Sequence, residues 1–287
     1  EMEGVKTMTS IIKVNDLHFA YKKGKEEVLK GIDIEIFKGE VFGFLGPSGA
    51  GKSTLQKVLL GLLKGYSGSS KVMGYETNKI RANFYNKIGV GFELPNLYEQ
   101  LTLEENLKTF AGLYENPADI KVLLEEVGLY EHRQKKVNEI SKGMKMRLNF
   151  CRALVGQPEV LFLDEPTSGL DPNNTKVIQD KILEYKSKGK TVVLTTHNMS
   201  FAEEICDRVA FVVAGQIKEI GEPEALKMKY GEYKVKVTMA KEEKVFNMKA
   251  LNQNKEFIAS LAKCISIDTV KPSLGEIFTQ VTGKILV

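Results

Sequence analysis

Val41-Phe-Gly-Phe-Leu45-Gly46-Pro47-Ser48-Gly49-Ala50-Gly51-Lys52-Ser53-Thr54 is the stretch on which the reading of this 287-residue chain turns. Val41–Leu45 is continuously apolar, as suits a strand covered on both faces of a parallel sheet. Gly46–Ser53 then matches G-x-x-x-x-G-K-[ST], and Leu55, Val58, Leu59 and Leu62 come next at helical spacing. Strand, loop and helix therefore stand in the order that a phosphate cradle needs. The glycines let backbone N–H groups curl around phosphate oxygens, and the helix N-terminus adds partial positive charge. Lys52 is placed to reach the β- and γ-phosphates and Ser53 to ligate Mg²⁺, with Thr54 completing the contact stretch. The bare pattern arises by chance on the order of once per hundred chains of this length, and the flanking elements weigh further against a ligand-free glycine turn.

Working outward, Val160–Leu163 is a second apolar run and ends in Asp164-Glu165-Pro166. Alone, two carboxylates after such a run most often mark a strand end. Downstream of a phosphate loop they are candidates to hold Mg²⁺ (Asp164) and to polarise an attacking water (Glu165). A third, β-branched run, Thr191–Thr196, ends at His197, where the ring would face the γ-phosphate. Val177, Ile178, Ile182 and Tyr185 lie at helical spacing before it, so strands alternate with helices and the class is α/β.

The flanking regions differ in period. Leu17, Phe19 and Tyr21, then Ile32, Ile34 and Ile36, alternate with polar residues and predict an opening β region. From about Pro95 to Leu154 the pattern is mostly helical, with Val122, Leu123 and Val127 on one stripe, as expected of a lobe inserted into the core. Beyond residue 225, Tyr233, Val235 and Val237 alternate, and Phe257, Ile258 and Leu261 lie at helical spacing. Ser273 and Glu276 form a capping box before a last helix with Ile277, Phe278 and Val281. Residues 226–287 are thus a small α/β extension, and residues 1–9, which include a second start at Met8, are expected to be disordered or an addition to the natural beginning.

Composition narrows the class. With 43% hydrophobic and 27% charged residues the chain suits a globular domain with a full core. The net charge of +4 is mild and the basic residues are interspersed with acidic ones, so no nucleic-acid partner is expected. Three cysteines, Cys151, Cys206 and Cys264, lie far apart in no ligand spacing, which favours a reducing cytoplasm over a disulfide framework or a zinc site. No apolar run approaches the ~20 residues of a membrane span, and the start has no secretory pattern. Any membrane role is expected to come through a partner.

Over residues 10–225 the chain resembles the ATPase subunits of ABC transporters. Besides the phosphate loop, Asp164-Glu165 and His197, Ser168-Gly-Leu-Asp171 is similar to the family's D-loop at the dimer contact, and Tyr21 occupies the place of the residue that stacks on adenine. Ile140-Ser141-Lys142-Gly143-Met144 resembles the signature that closes over the nucleotide of a second subunit, with Lys142 and Met144 departing from the usual residues. The resemblance implies a P-loop NTPase core with an N-terminal antiparallel β region, ATP and Mg²⁺ as ligands, a second ATPase subunit, separate transmembrane permease subunits, and a place at the cytoplasmic face of the membrane. Glu93 stands where the family has Gln. Like charges ~4 Å apart repel by about 4 kcal/mol at an effective dielectric of 20, so Glu93 beside Asp164 and Glu165 is expected to approach Mg²⁺. Glu93, Ser-Lys-Gly-Met and the ending Pro272–Gly283 are similar to a drug and antimicrobial-peptide exporter branch, so export is expected over import. A soluble ABC-type ATPase acting on nucleic acid or ribosomes is the alternative. DNA-repair members insert a long coiled coil between phosphate loop and signature, and ribosome-acting members carry two ATPase halves. Neither feature occurs here.

Overall fold

The computed structural model describes residues 9–22, 24 and 26–284. Of the expected disordered start, residues 1–8 lie outside this range, and the Thr9 carbonyl accepts the Lys38 N–H at 2.9 Å. In chain order the first elements are β1 (Ser10–Phe19), β2 (Leu29–Phe37), β3 (Val41–Leu45), α1 (Lys52–Leu59), β4 (Ser67–Val72), β5 (Tyr75–Glu76), α2 (Ala82–Tyr85) and β6 (Ile88–Gly91). Next come helices α3 (Leu103–Ala111), α4 (Ile120–Glu126) and α5 (Lys142–Leu154), then β7 (Val160–Asp164), α6 (Pro172–Ser187), β8 (Thr191–Thr196), α7 (Met199–Ile205), β9 (Arg208–Val213) and β10 (Gln216–Gly221). The last are α8 (Pro223–Tyr230), β11 (Lys234–Met239), β12 (Glu243–Asn247), α9 (Lys255–Leu261), β13 (Cys264–Val270) and α10 (Leu274–Thr282).

The chain divides into two compact units, Glu1–Ile220 and Gly221–Val287. In the first, a sheet of order β2-β1-β4-β5 is antiparallel throughout. Ile32, Ile34 and Ile36 of β2 are all buried, as their alternation requires, while Tyr21 lies beyond the end of β1 and is 58% exposed. It does not continue the Leu17–Phe19 core stripe.

The second sheet has the order β10-β9-β3-β8-β7-β6, and β9, β3, β8, β7 and β6 pair in parallel. All of β3 and β8 and most of β7 are buried, which is why these runs are apolar or β-branched throughout instead of alternating. Parallel strands end on the same side, so the loops leaving β3, β6, β7 and β8 are gathered along one edge. Antiparallel order would have scattered them.

Between β6 and β7 lies the helical stretch with α3, α4 and α5. The buried face of α4 is Leu123 and Leu124, with Val127 just beyond it, whereas Val122 is 46% exposed. Of the stripe read from sequence, Leu123 and Val127 are buried and Val122 is not, because α4 spans only Ile120–Glu126, too short for the 3.6-residue period to decide between neighbouring faces. Leu62 likewise falls past α1 and is exposed. The second unit contains the antiparallel sheet β12-β11-β13, with Val235, Val237 and Phe246 forming its core. Ile258 and Leu261 of α9 are exposed while Phe257 packs on this core. The capping box of α10 is formed by Ser273 and Glu276, and Ile277 and Phe278 are buried.

Candidate functional site

Gly46–Ser53 bends from β3 into α1 as a loop that only glycine fits at key points. At Gly46 an added Cβ would run into the Val212 carbonyl of β9, and Gly51 holds φ 104° as the N-cap of α1. The loop therefore lies tight against the sheet end, and a glycine-rich turn into a helix N-terminus is an arrangement that accepts anions.

Lys52 is 7% exposed, and its Nζ donates to the carbonyls of Gly46 at 2.7 Å and Pro47 at 3.0 Å. Burial depresses its pKa, and the negative charges of Glu165, Asp164 and Glu93 oppose that shift. The lysine is thus a buried cation facing three carboxylates. Ser53 Oγ donates to Asp164 Oδ1 at 3.1 Å, and Thr195 Oγ1 donates to the same oxygen. A hydroxyl and a carboxylate oxygen this close form a hard oxygen pair of the kind Mg²⁺ takes.

Glu165, the residue after β7, is 9% exposed and holds φ 47°, a left-handed conformation unusual for a residue with a Cβ. Its N–H donates to the Thr195 carbonyl at 3.0 Å and its own carbonyl accepts from Ser168 N–H at 3.1 Å, which hold the backbone there. Thr196 Oγ1 donates to Glu165 Oε2 at 3.0 Å, and His197 Nδ1 lies 2.9 Å from Oε1. Against an ionised carboxylate Nδ1 must carry the hydrogen, which leaves Nε2 as the ring's other polar atom. The sequence reading sets His197 toward the γ-phosphate, to bond it or the water; in the structure the ring lines the loop's cavity and its Nδ1 pairs with Glu165.

A cavity of about 370 Å³ collects these groups: Ser48–Thr54 of the loop, Glu93 beyond β6, Glu165 beyond β7, His197 beyond β8, and Val28. Tyr21 stands at its rim, its hydroxyl hydrogen-bonded to Thr54 Oγ1 at 3.0 Å and its ring edge-on to Phe19. Ser141 and Gly143 do not line the cavity. Ser141 caps α5 by accepting from Met144 N–H at 3.2 Å, and Asp171 caps α6 by accepting from Asn174 N–H at 2.9 Å. These two turns adjoin each other: a Cβ on Gly143 would come within 3.0 Å of the Asn174 amide, and one on Gly169 would meet the Lys142 ammonium. The candidates thus separate into a cavity group, to which Asp164 is joined through Ser53, Gly46 and Pro47 through Lys52 and Tyr21 through Thr54, and a signature group with no such link among the described residues.

Sequence reasoning missed Thr195 and Thr196, whose hydroxyls hold Asp164 and Glu165. Threonine in a β-branched run looks like a strand former, and nothing local marks a hydroxyl as a positioning group. Val28 was missed because the loop after β1 carries no motif.

The ABC transporter family profile matches residues 29–168. Fluoroquinolones export ATP-binding proteins from two strains of Mycobacterium tuberculosis are 44% identical to the chain over 285 residues, covering 96% of it and 94% of each relative. A linearmycin resistance ATP-binding protein of Bacillus subtilis is 39% identical, covering 69% of this chain and 65% of its own. Among solved structures, an ATP-binding subunit of an ABC transporter superposes with TM-score 0.70 at 30% identity, covering 77% of this chain and 93% of that one. A dimeric ATP-binding cassette in a post-hydrolysis state with ADP and Pi gives 0.66 at 27% identity, covering 74% and 98%. With its phosphate loop, paired carboxylates and strand-end histidine on one sheet edge, the chain belongs to the ATP-binding, ATP-hydrolysing subunits of ABC transporters.

Proposed function

We propose that this subunit powers export through separate membrane subunits by hydrolysing Mg·ATP held between it and a second ATPase subunit. The ligand supplies the γ-phosphoryl group and the metal neutralises its developing charge. The chain's residues fit that ligand: a loop of amides against the sheet, a buried cation at Lys52, and oxygens of Ser53 and Asp164 that share a hydrogen bond. Lys52 exchanges its loop carbonyls for phosphate oxygens. Ser53, Asp164 and Glu93 form the metal side. Glu165, with both oxygens oriented by His197 and Thr196, accepts a proton from the attacking water. The exposed ring of Tyr21, tied to Thr54, offers a face for the adenine, a contact worth ~1–3 kcal/mol that reads no base edge.

The observation that carries this reading is the split between the two sets of residues. Ser141, Gly143 and Asp171 lie outside the cavity although Ser141 presents a capped helix start suited to phosphate, so they serve the nucleotide of the other subunit. Among the described residues no helix is long and apolar enough to cross a membrane; kinship with ATP-binding subunits of ABC transporters supports a place at the cytoplasmic face by way of permease subunits. Relatives named for fluoroquinolone export, linearmycin resistance and Nod factor export support the outward direction.

Glu165→Gln tests the chemistry. The variant retains ATP, sediments as a dimer with Mg·ATP, and loses hydrolysis by at least about a hundredfold, on the scale of a lost general base. Turnover at the wild-type rate overturns the role of Glu165. Affinity purification from native membranes tests the assignment: a membrane subunit is recovered with the chain, whereas recovery with ribosomes or DNA overturns it.

A further inference from the structure

Helix α5 carries at its N-cap Ser141 and, two turns on, Asn149, a side chain that the nucleotide site leaves unexplained. Asn149 is 3% exposed, and its Nδ2 donates to the Phe92 carbonyl at 2.8 Å. Phe92 directly precedes Glu93. The orientation of the amide is dictated by its partner, since a carbonyl accepts only from the NH₂ end. At the other end Oδ1 is buried and has no partner among the described residues. Asn149 also lines, with Phe92, Leu163 and Asp164, a small cavity of about 10 Å³. It therefore stands between the Glu93 segment and the residue that Ser53 holds.

The surrounding packing allows little slack. A Cβ on Gly89 would collide with the Ala153 carbonyl of α5, and one on Gly91 would come to 2.9 Å from the Leu163 side chain. An apolar side chain of similar size would fill the space and remove the unpaired Oδ1, losing only the bond to the Phe92 carbonyl, so that bond and not packing accounts for an amide.

We propose that Asn149 is a positioning residue for Glu93. By holding the Phe92 carbonyl it sets where the Glu93 carboxylate stands on the metal side of the nucleotide, and it ties that position to the helix that begins at Ser141. The two residues are about 12 Å apart along the helix axis at 1.5 Å per residue, so a shift of the Ser141 turn is carried to Glu93 through one rigid element. The proposal rests on the reading of Glu93 as a metal-facing group.

The test uses the full chain and the variants Asn149→Leu, Asn149→Ala and Glu93→Gln, alone and combined. In metal-free protein, hydrogen exchange of the 92–97 backbone accelerates in both Asn149 variants while β6 and α5 keep their protection. In hydrolysis assays the Mg²⁺ concentration for half-maximal rate rises about tenfold, as for lost outer-shell support of a metal ligand, with the KM for ATP at saturating Mg²⁺ within twofold of wild type. In the Glu93→Gln background the Asn149 change adds nothing further. Wild-type exchange and Mg²⁺ dependence in Asn149→Leu, with a change in Glu93→Gln, overturn the positioning role alone. An unchanged Glu93→Gln overturns the metal-facing reading and the positioning role with it. Should the leucine variant fold poorly, Asn149→Ala read by hydrogen exchange decides between the same outcomes.

Discussion

Thr196 shows how much one hydroxyl carries. It donates to Glu165 Oε2 and accepts from Asn198 N–H, both at 3.0 Å, and it is fully buried. Thr196→Val keeps the shape but leaves a buried carboxylate oxygen and an N–H unpaired. A loss of about 1–3 kcal/mol in denaturant unfolding is expected, together with a lower kcat, because Glu165 loses one of its two orienting bonds. His18, by contrast, is a surface titration. Hydrogen bonds that its ring donates to the Glu27 and Asp16 carboxylates raise its pKa above 6.5. A folded value above the unfolded one means that its contribution is present below pH 6.5 and fades as pH rises through the raised value. NMR titration should place the His18 midpoint above 6.5, and the double change Asp16→Asn, Glu27→Gln should return it toward 6.5. An unmoved midpoint would show that the carboxylates do not act on the ring.

At the scale of elements, the junction of β6 and α5 and the caps of the helices decide local stability. Gly89→Ala places a methyl against the Ala153 carbonyl, and overpacking of this kind costs about 1–3 kcal/mol. A denaturation midpoint equal to wild type would mean that α5 can draw back from β6, contrary to its tight seating. Ser273→Ala removes the capping box of α10, where Ser273 Oγ accepts from Glu276 N–H at 3.2 Å and Glu276 accepts from Ser273 N–H at 2.7 Å. A loss of about 1 kcal/mol is expected, seen as faster hydrogen exchange in the first turn of α10. That cap was legible because its spacing is local. Val122 was misread on a short helix, and β13 went unpredicted although Ile265 and Ile267 alternate with Ser266 and Asp268; the structure leaves both isoleucines exposed.

At the scale of the whole molecule, burial sorts the thiols. Cys151 and Cys206 are buried, and burial pushes both well above the ordinary thiol pKa, while Cys264 is partly exposed. A thiol reagent should modify one of the three cysteines quickly in the native protein and all three in denaturant. Fast reaction of a second thiol would show that the first unit, which holds both buried cysteines, opens readily. The sequence by itself determined the phosphate loop, the carboxylate pair after β7, the histidine after β8 and the α/β class, because each rests on residues adjacent in the chain and on short periodicities. Only the tertiary structure decided that Thr195 and Thr196 orient the carboxylates, that His197 faces Glu165, that the Ser141 turn adjoins the start of α6 and not the cavity, and that Asn149 holds the segment of Glu93. Those contacts join residues brought together by the parallel order of β3, β8, β7 and β6 and by the packing of α5 on β6, and no spacing along the chain encodes a distance across a sheet.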